Sequence, residues 1–345
     1  MFQETPGRFG PGRLALLLLH LPLFGLLLLP FGYFGAGTWW LDNLGNLQLQ
    51  WAFAAMALLA LSLRLPRVLL GMLSGAYALL IGIHFAPFYW PVPAATESSP
   101  TIRIAQLNLR YWNPNIETIV ADLAHQPYDV VVLQEISDES LASVSRLTDT
   151  YPHSIGSASA ARFGSRHALF SRWPLVDRQV HDLGYLEGRV IDVGVVFEPA
   201  LTTIRMITLH PGAPRSETLW QLRNSTLEFV GGLVENSGHP WQVVVGDLNV
   251  SPWSPHWQRL MDNGKLTNTA RGHGYIPSWS PFNGNPLGRY LTSSQLDHSL
   301  VTESLETVSK TYRTVDGSDH ALVETQLAVK RQPLTWLASP TAIRR

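Results

Sequence analysis

The stretch Val243-Val-Val-Gly-Asp-Leu-Asn-Val250 constrains the fold of this chain more than any other. The valine run reads as a buried strand, because a short β-branched apolar run closed by a turn former fits a strand covered on both faces. Gly246 lets the backbone turn where the strand ends. Asp247 and Asn249 lie two residues apart, so in extended geometry their side chains point the same way. A carboxylate and a carboxamide aimed together from a strand tip suit phosphate chemistry. One can hold or deprotonate a water while the other donates to a phosphoryl oxygen. The plainer alternative is an Asp-x-Asn turn that closes a hairpin.

The same event recurs along the chain. The segments 101–108, 128–135, 168–174, 190–197, 203–210, 295–301 and 320–327 all read as strands, and 116–125, 138–147 and 216–233 as helices. A polar residue stands at most of the strand ends: Asn108, Glu135, His210, Asp247 with Asn249, Asp297, and Asp319 with His320. Any one alone is most simply a turn former or a satisfied histidine. So many, each closing an apolar run, point instead to one site at the common edge of packed sheets.

That set allows a defined chemistry. Glu135 and Asp319 are hard oxygen ligands suited to Mg²⁺ or Mn²⁺, with Asn108 in support. Asp297 is placed to orient His320 as a carboxylate orients an imidazole in hydrolytic triads. The sequence has no His-Glu-x-x-His, no Walker-type loop and no Gly-x-Ser-x-Gly elbow. It also has no cysteine, which excludes disulfides and thiolate metal sites. Water is therefore the expected nucleophile.

The first ninety residues are of another kind. Charged residues make up only 15% of the chain, below the usual quarter, and the deficit is concentrated here. Three apolar runs, about 13–34, 47–63 and 68–88, predict a three-span transmembrane anchor, with residues 91–100 as linker, a domain over 101–330 and a tail over 331–345. Arg8, Arg13, Arg64 and Arg67 fall before the first run and between the second and third, while the 35–46 loop has none. By the positive-inside rule the N-terminus is cytoplasmic. Everything after residue 90 then lies on the periplasmic or extracellular side of the cytoplasmic membrane. Trp39, Trp40, Trp51, Tyr89 and Trp90 would form an interfacial belt on that side.

Seven motifs, taken in order, resemble the endonuclease/exonuclease/phosphatase superfamily. They are Gln106-Leu-Asn108, Leu133-Gln-Glu135, Phe170-Ser-Arg-Trp-Pro174, Thr208-Leu-His210, Gly246-Asp-Leu-Asn249, Leu296-Asp-His298 and Ser318-Asp-His320. The resemblance implies an α/β fold, a four-layer α/β sandwich of two packed, mostly antiparallel sheets flanked by helices. It implies that Asn108 and Glu135 hold a divalent metal with Asp319 near it, and that Asp247 positions or deprotonates the attacking water. Asn249 and His210 would bind the scissile phosphate, His320 oriented by Asp297 would assist, and Arg189 would be a further substrate contact. His298 has packing as its plain role. The anchor resembles that of membrane-anchored bacterial members.

The expected function is a Mg²⁺-dependent phosphoric ester hydrolase acting on a phosphomonoester, phosphodiester or pyrophosphate outside the cytoplasm. The alternatives are a membrane-tethered nuclease and a non-catalytic binding module. Nucleic acid is disfavoured by charge. The chain has 25 basic and 26 acidic residues, and residues 1–99 take four and three of them, which leaves the domain at −2. A short linker keeps the domain at the bilayer, which favours a lipid-linked phosphate. The aromatic residues of the 272–294 loop would pack onto the sandwich, meet headgroups or stack on a substrate.

Overall fold

The computed structural model describes residues 35–48, 50–51, 79, 82–92, 99–156, 166–185, 187–282 and 285–330. Two six-stranded sheets face each other. The first contains β1 (Thr101–Asn108), β2 (Val130–Ile136), β3 (His153–Gly156), β4 (Arg166–Ser171), β11 (Leu305–Thr314) and β12 (Ala321–Val329), ordered β11-β12-β1-β2-β4-β3. The second contains β5 (Leu175–Asp182), β6 (Arg189–Phe197), β7 (Thr202–Leu209), β8 (Gln242–Asp247), β9 (Thr267–Asn268) and β10 (Asp297–Val301), ordered β5-β6-β7-β8-β10-β9. All pairings are antiparallel except β1 with β2 and β7 with β8. Those two pairs are joined by crossover helices, Ile116–His125 and Glu217–Ser237, and a parallel neighbour needs such a crossover.

Strand alternation builds the layers. Val243 and Val245 of β8 face the first sheet, where they meet Ile102, Ile104, Val130 and Val132. Val244 points the other way, into the layer formed by Leu227, Val230, Trp257 and Leu260. Both faces of β8 are covered, which is why its valines run without a polar break. Ala105, Leu107, Val131 and Leu133 likewise face outward from the first sheet onto Ile119 and Leu123. The result is the expected helix, sheet, sheet, helix sandwich. Each fully buried valine or leucine contributes about 1.5–3 kcal/mol relative to exposure.

Helices follow in chain order: α1 (Trp39–Gly45), α2 (Ile116–His125), α3 (Asp138–Ser145), α4 (Glu217–Ser237), α5 (Pro255–Gly264) and α6 (Pro286–Thr292). The helix read over 138–147 ends at Ser145 and continues as a 3₁₀ turn, Arg146–Asp149. α4 runs past 233 to Ser237, and Ser216 caps it by accepting from the Leu219 amide at 3.3 Å. β3, β5, β9, β11, α5 and α6 do not stand out in the sequence. β5 is an edge strand exposed along most of its length, so it carries no apolar alternation to read.

Among the described residues no helix is long and apolar enough to cross a membrane. The first expected span, 13–34, lies outside the described residues, as do most of 47–63 and 68–88. Two phenylalanines of the third run are docked on the sandwich. Phe85 and Phe88 pack their rings on Trp253 and Tyr275, with centroids 5.2 Å apart for Phe85 and Trp253 and 5.8 Å for Phe88 and Tyr275. In the 272–294 loop, Tyr275 and Trp279 pack onto the sandwich, while Phe282 and Leu287 stay exposed.

Two buried histidines make the fold sensitive to acid. Burial pushes His167 down to about 3, with the charge of His210 adding to the effect. Burial pushes His298 down to about 4. His298 Nε2 donates to the Val250 carbonyl at 2.8 Å, the packing role expected of it. Both folded-state pKa values lie below the ordinary 6.5, so the unfolded chain takes up these protons first. Stability should therefore fall as pH drops from about 6.5 to 4, by about 1.4 kcal/mol per pH unit per histidine at most. Urea midpoints at pH 7 and pH 5 check this; equal midpoints would show that neither imidazole is held neutral.

Candidate active site

The polar strand ends converge. Asn108 closes β1, Glu135 sits near the end of β2, His210 follows β7, Asp247 closes β8, Asp297 opens β10 and His320 precedes β12. β1, β2 and β12 are inner strands of the first sheet, and β7, β8 and β10 of the second, so six groups meet at one edge of the sandwich.

Three local backbone devices aim them. The β2–β4 register shifts between Leu133 and Ile136, and Glu135 lies in that bulge with φ +54°. A bulge re-aims a side chain that regular alternation would send elsewhere. Asn249 is also left-handed, φ +49°. Its amide donates to Asp247 Oδ1 at 3.0 Å, which closes a tight Asx turn. Non-glycine residues in this region store strain that surrounding structure must hold. Gly246 has φ +155°, and a Cβ there would lie 2.2 Å from the Leu209 carbonyl oxygen, so no larger residue fits before Asp247.

Asp247 is the hub. Its Oδ2 accepts from Asn108 Nδ2 at 3.0 Å and lies 3.5 Å from His210 Nδ1 and 3.6 Å from His320 Nε2. Asn108 Nδ2 also donates to Glu135 Oε1 at 2.9 Å, and His210 Nε2 is 3.5 Å from that same oxygen. His320 Nδ1 donates to Asp297 Oδ2 at 2.9 Å. The other oxygen of Asp297 accepts from Gln106 Nε2 at 2.7 Å, and Ser278 Oγ accepts from the Asp297 amide at 3.0 Å. Asn249 Nδ2 donates to the Pro211 carbonyl at 2.9 Å, which leaves its second amide hydrogen for a ligand.

The electrostatics follow from this packing. Burial would lower both site histidines, but the carboxylates outweigh it. Asp297 and Asp247 raise His320 to about 10, and Glu135 and Asp247 raise His210 to about 9. Both rings are imidazolium at neutral pH. Burial would raise Glu135, but hydrogen bonds and charge from His210, with Asn108, bring it down to about 2. Burial lifts Asp247 above the ordinary carboxylate range, opposed by His320 and His210. A raised carboxylate is a better base than an exposed one.

Glu135, His210, Asp247, Asn249 and His320 floor a cleft of about 480 Å³, lined also by Asp319, Glu187, Arg215, Trp279 and, from α1 and the turn after it, Trp39, Asn43, Asn46 and Leu47. Asp319 accepts from Trp279 Nε1 at 3.1 Å. Arg189 is not part of the lining; its Nε faces Asp182 Oδ2 at 4.0 Å. The α1 residues, Glu187 and Arg215 have no sequence signal that marks them. Gln106 could have been found, since it is a buried-strand polar residue two positions before Asn108.

The donor types here suit a divalent ion. Glu135 is held ionised and shares the cleft with the carboxylate of Asp319, and hard oxygens of this kind suit Mg²⁺ or Mn²⁺. Asn108 holds Glu135 in place by its own hydrogen bond. Asp247, Asp297 and His320 also bring ligand-type atoms within 4.8 Å of one another and could hold a metal. The same closeness is what an imidazolium seated between two carboxylates produces.

A model of the Endonuclease/Exonuclease/phosphatase family matches residues 105–320. A search of curated proteins finds no match. Among solved structures, an endonuclease/exonuclease/phosphatase from Beutenbergia cavernae superposes with a TM-score of 0.54 at 20% identity, covering 68% of this chain and 73% of that one. Sphingomyelinase C from Streptomyces griseocarneus gives 0.50 at 16% identity, covering 66% and 99%. A 3′ phosphatase from Neisseria, bound to a product DNA hairpin, gives 0.50 at 20% identity, covering 65% and 98%. At these identities the structural likeness speaks for the fold.

Proposed function

The chain belongs to the endonuclease/exonuclease/phosphatase family, and from that membership and the cleft we propose that it is a membrane-anchored, divalent-metal-dependent phosphoesterase acting outside the cytoplasm. The observation that carries this reading is the Asp247 hub, a buried carboxylate between two imidazoliums and next to Glu135. A scaffold for binding alone has no use for that set.

In this reading water attacks phosphorus directly as the P–O bond to the leaving alcohol or phosphate breaks, and the leaving oxygen departs protonated by His320 or by solvent. Asp247 orients the water and takes its proton. His210 and the free amide hydrogen of Asn249 donate to phosphoryl oxygens, and His320, kept charged by Asp297, stabilises the charge that develops there. Glu135 and Asp319 would hold Mg²⁺ or Mn²⁺, with Asn108 fixing Glu135. A bound divalent ion supplies neutralisation of phosphoryl charge and a lowered pKa for nearby water.

The anchor reading is supported by the three apolar runs and by the arginines that flank them. Trp40, Tyr89 and Trp90, next to the ends of those runs, are exposed, as interfacial aromatics are. A reporter fused after Arg345 should read as exported; a cytoplasmic signal would overturn the compartment.

For substrate we rank a lipid-linked phosphate or pyrophosphate above nucleic acid. A cleft of about 480 Å³ has room for a head group, and a tether raises the local concentration of lipid but not of free DNA. The full chain in detergent and in liposomes, with Mg²⁺ or Mn²⁺, should turn over phospholipid or polyprenyl pyrophosphate and stop with chelator. Robust DNA cleavage without lipid turnover in either setting would reverse the ranking in favour of a tethered nuclease.

A further inference from the structure

Resting on that phosphoesterase reading, we propose that residues 39–47 form the substrate-selecting wall of the cleft, and that this wall selects an amphiphilic phosphate ester. These residues lie far upstream of the family match, which begins at residue 105. They nonetheless line the cleft together with Glu135, His210, Asp247 and His320.

The wall is seated, not loosely apposed. Asp42 Oδ2 accepts from Arg223 NH2 at 2.5 Å and from Trp220 Nε1 at 2.8 Å. Asn43 Nδ2 donates to the Pro214 carbonyl at 2.7 Å, in the loop after His210. Asn46 Oδ1 accepts from the Ser251 amide at 3.2 Å, two residues after Asn249, and the Asn46 carbonyl accepts from Ser294 Oγ at 2.9 Å. Arg223 also donates through NH1 to the Asn249 carbonyl at 2.9 Å. The ties from Asn43 and Asn46 thus run to the loops after His210 and Asn249, and Asp42 reaches Asn249 through Arg223 of α4.

The cleft is divided along the lines of an amphiphile. Its floor is the charged set around Asp247. Trp39 and Leu47 of the wall face the same space as Leu219, Trp279 and Leu296. Among the described residues Asn43 Oδ1 is buried without a hydrogen-bond partner, an acceptor for a hydroxyl or amine on the head group. In sequence, the wall is bounded on both sides by the apolar runs 13–34 and 47–63. An ester that shares an apolar phase with those runs meets the rim at Trp39 and Leu47. A soluble phosphate ester gains nothing from that rim.

The test uses two phosphodiesters that differ only in the tail, methyl and dodecyl p-nitrophenyl phosphate, with the full chain in detergent and Mg²⁺ or Mn²⁺. The readout is the ratio of the two kcat/KM values, which cancels any general loss of activity. The wild type should prefer the dodecyl ester at least tenfold. Trp39→Ala with Leu47→Ala should bring the ratio close to one, mainly through KM. Trp40→Ala, on the same helix but outside the cleft lining, should keep the preference and controls for damage to α1. Equal turnover of both esters by the wild type, or a preference that survives the double substitution, overturns the wall. Where neither diester turns over, methyl and dodecyl phosphate are compared in the same way by phosphate release; turnover of none of the four, nor of polyprenyl pyrophosphate, overturns the phosphoesterase reading, and this inference with it.

Discussion

Replacing Asp247 with asparagine should lower turnover by about a thousandfold, with little change in the substrate KM. Asparagine keeps the shape, but its one oxygen can accept either from Asn108 Nδ2, now 3.0 Å from Asp247 Oδ2, or from the Asn249 amide, now 3.0 Å from Oδ1, not from both. It cannot take a proton from water. It also leaves His210 and His320, 3.5 and 3.6 Å away, without the charge that helps hold both as imidazolium. The expected result is loss of the base together with a downward shift of two pKa values. The His320–Asp297 hydrogen bond at 2.9 Å should survive, so the fold should persist. The measurements are kcat with the soluble methyl ester and the pH dependence of His Cε1 proton shifts. Activity within tenfold of wild type would remove Asp247 from the role of base.

How much of this was legible before the structure depends on the range of the interaction. β8 could be read because burial on both faces forces an unbroken valine run, and Asp247 and Asn249 could be read because they punctuate it. Asn108, Glu135, His210, Asp297 and His320 were visible for the same local reason, and the structure brings them together. The aim of Glu135 was not visible, because it depends on a bulge opposite β4. β5 escaped notice because an exposed edge strand has no apolar face to reveal it. Arg189 enters only through the resemblance, which implies a basic residue at the start of β6; in the fold it lies opposite Asp182, with its Nε 4.0 Å from Asp182 Oδ2, and outside the cleft lining. The wall at 39–47 was invisible as part of the site. In sequence it is a short loop between two apolar runs, and what docks it is an ion pair between residues 181 positions apart.

That ion pair carries the second large effect. Arg223 lies in the middle of α4, where a lone arginine reads as an exposed helical cation, but its side chain is fully buried. Burial pulls its pKa down, and Asp42 opposes that. Asp42 is the carboxylate that pairs with it, and the remaining NH1 hydrogen bond goes to the Asn249 carbonyl. Asp42→Ala therefore leaves a buried guanidinium without a counter-charge, which costs about 3–5 kcal/mol. The cost should appear as a lowered urea midpoint of the full chain. It should also appear in catalysis, because the unpaired Arg223 no longer fixes the left-handed turn at Asn249. Replacing both partners separates charge from shape: Asp42→Leu with Arg223→Met buries no charge and should recover most of the stability. It should not recover full activity, since the hydrogen bond to Asn249 is gone. If Asp42→Ala unfolds at the wild-type midpoint, Arg223 finds other compensation and the docking of α1 is not held by charge. If the double replacement is as unstable as the single one, packing of α1, not the buried pair, ties residues 39–47 to the catalytic loop.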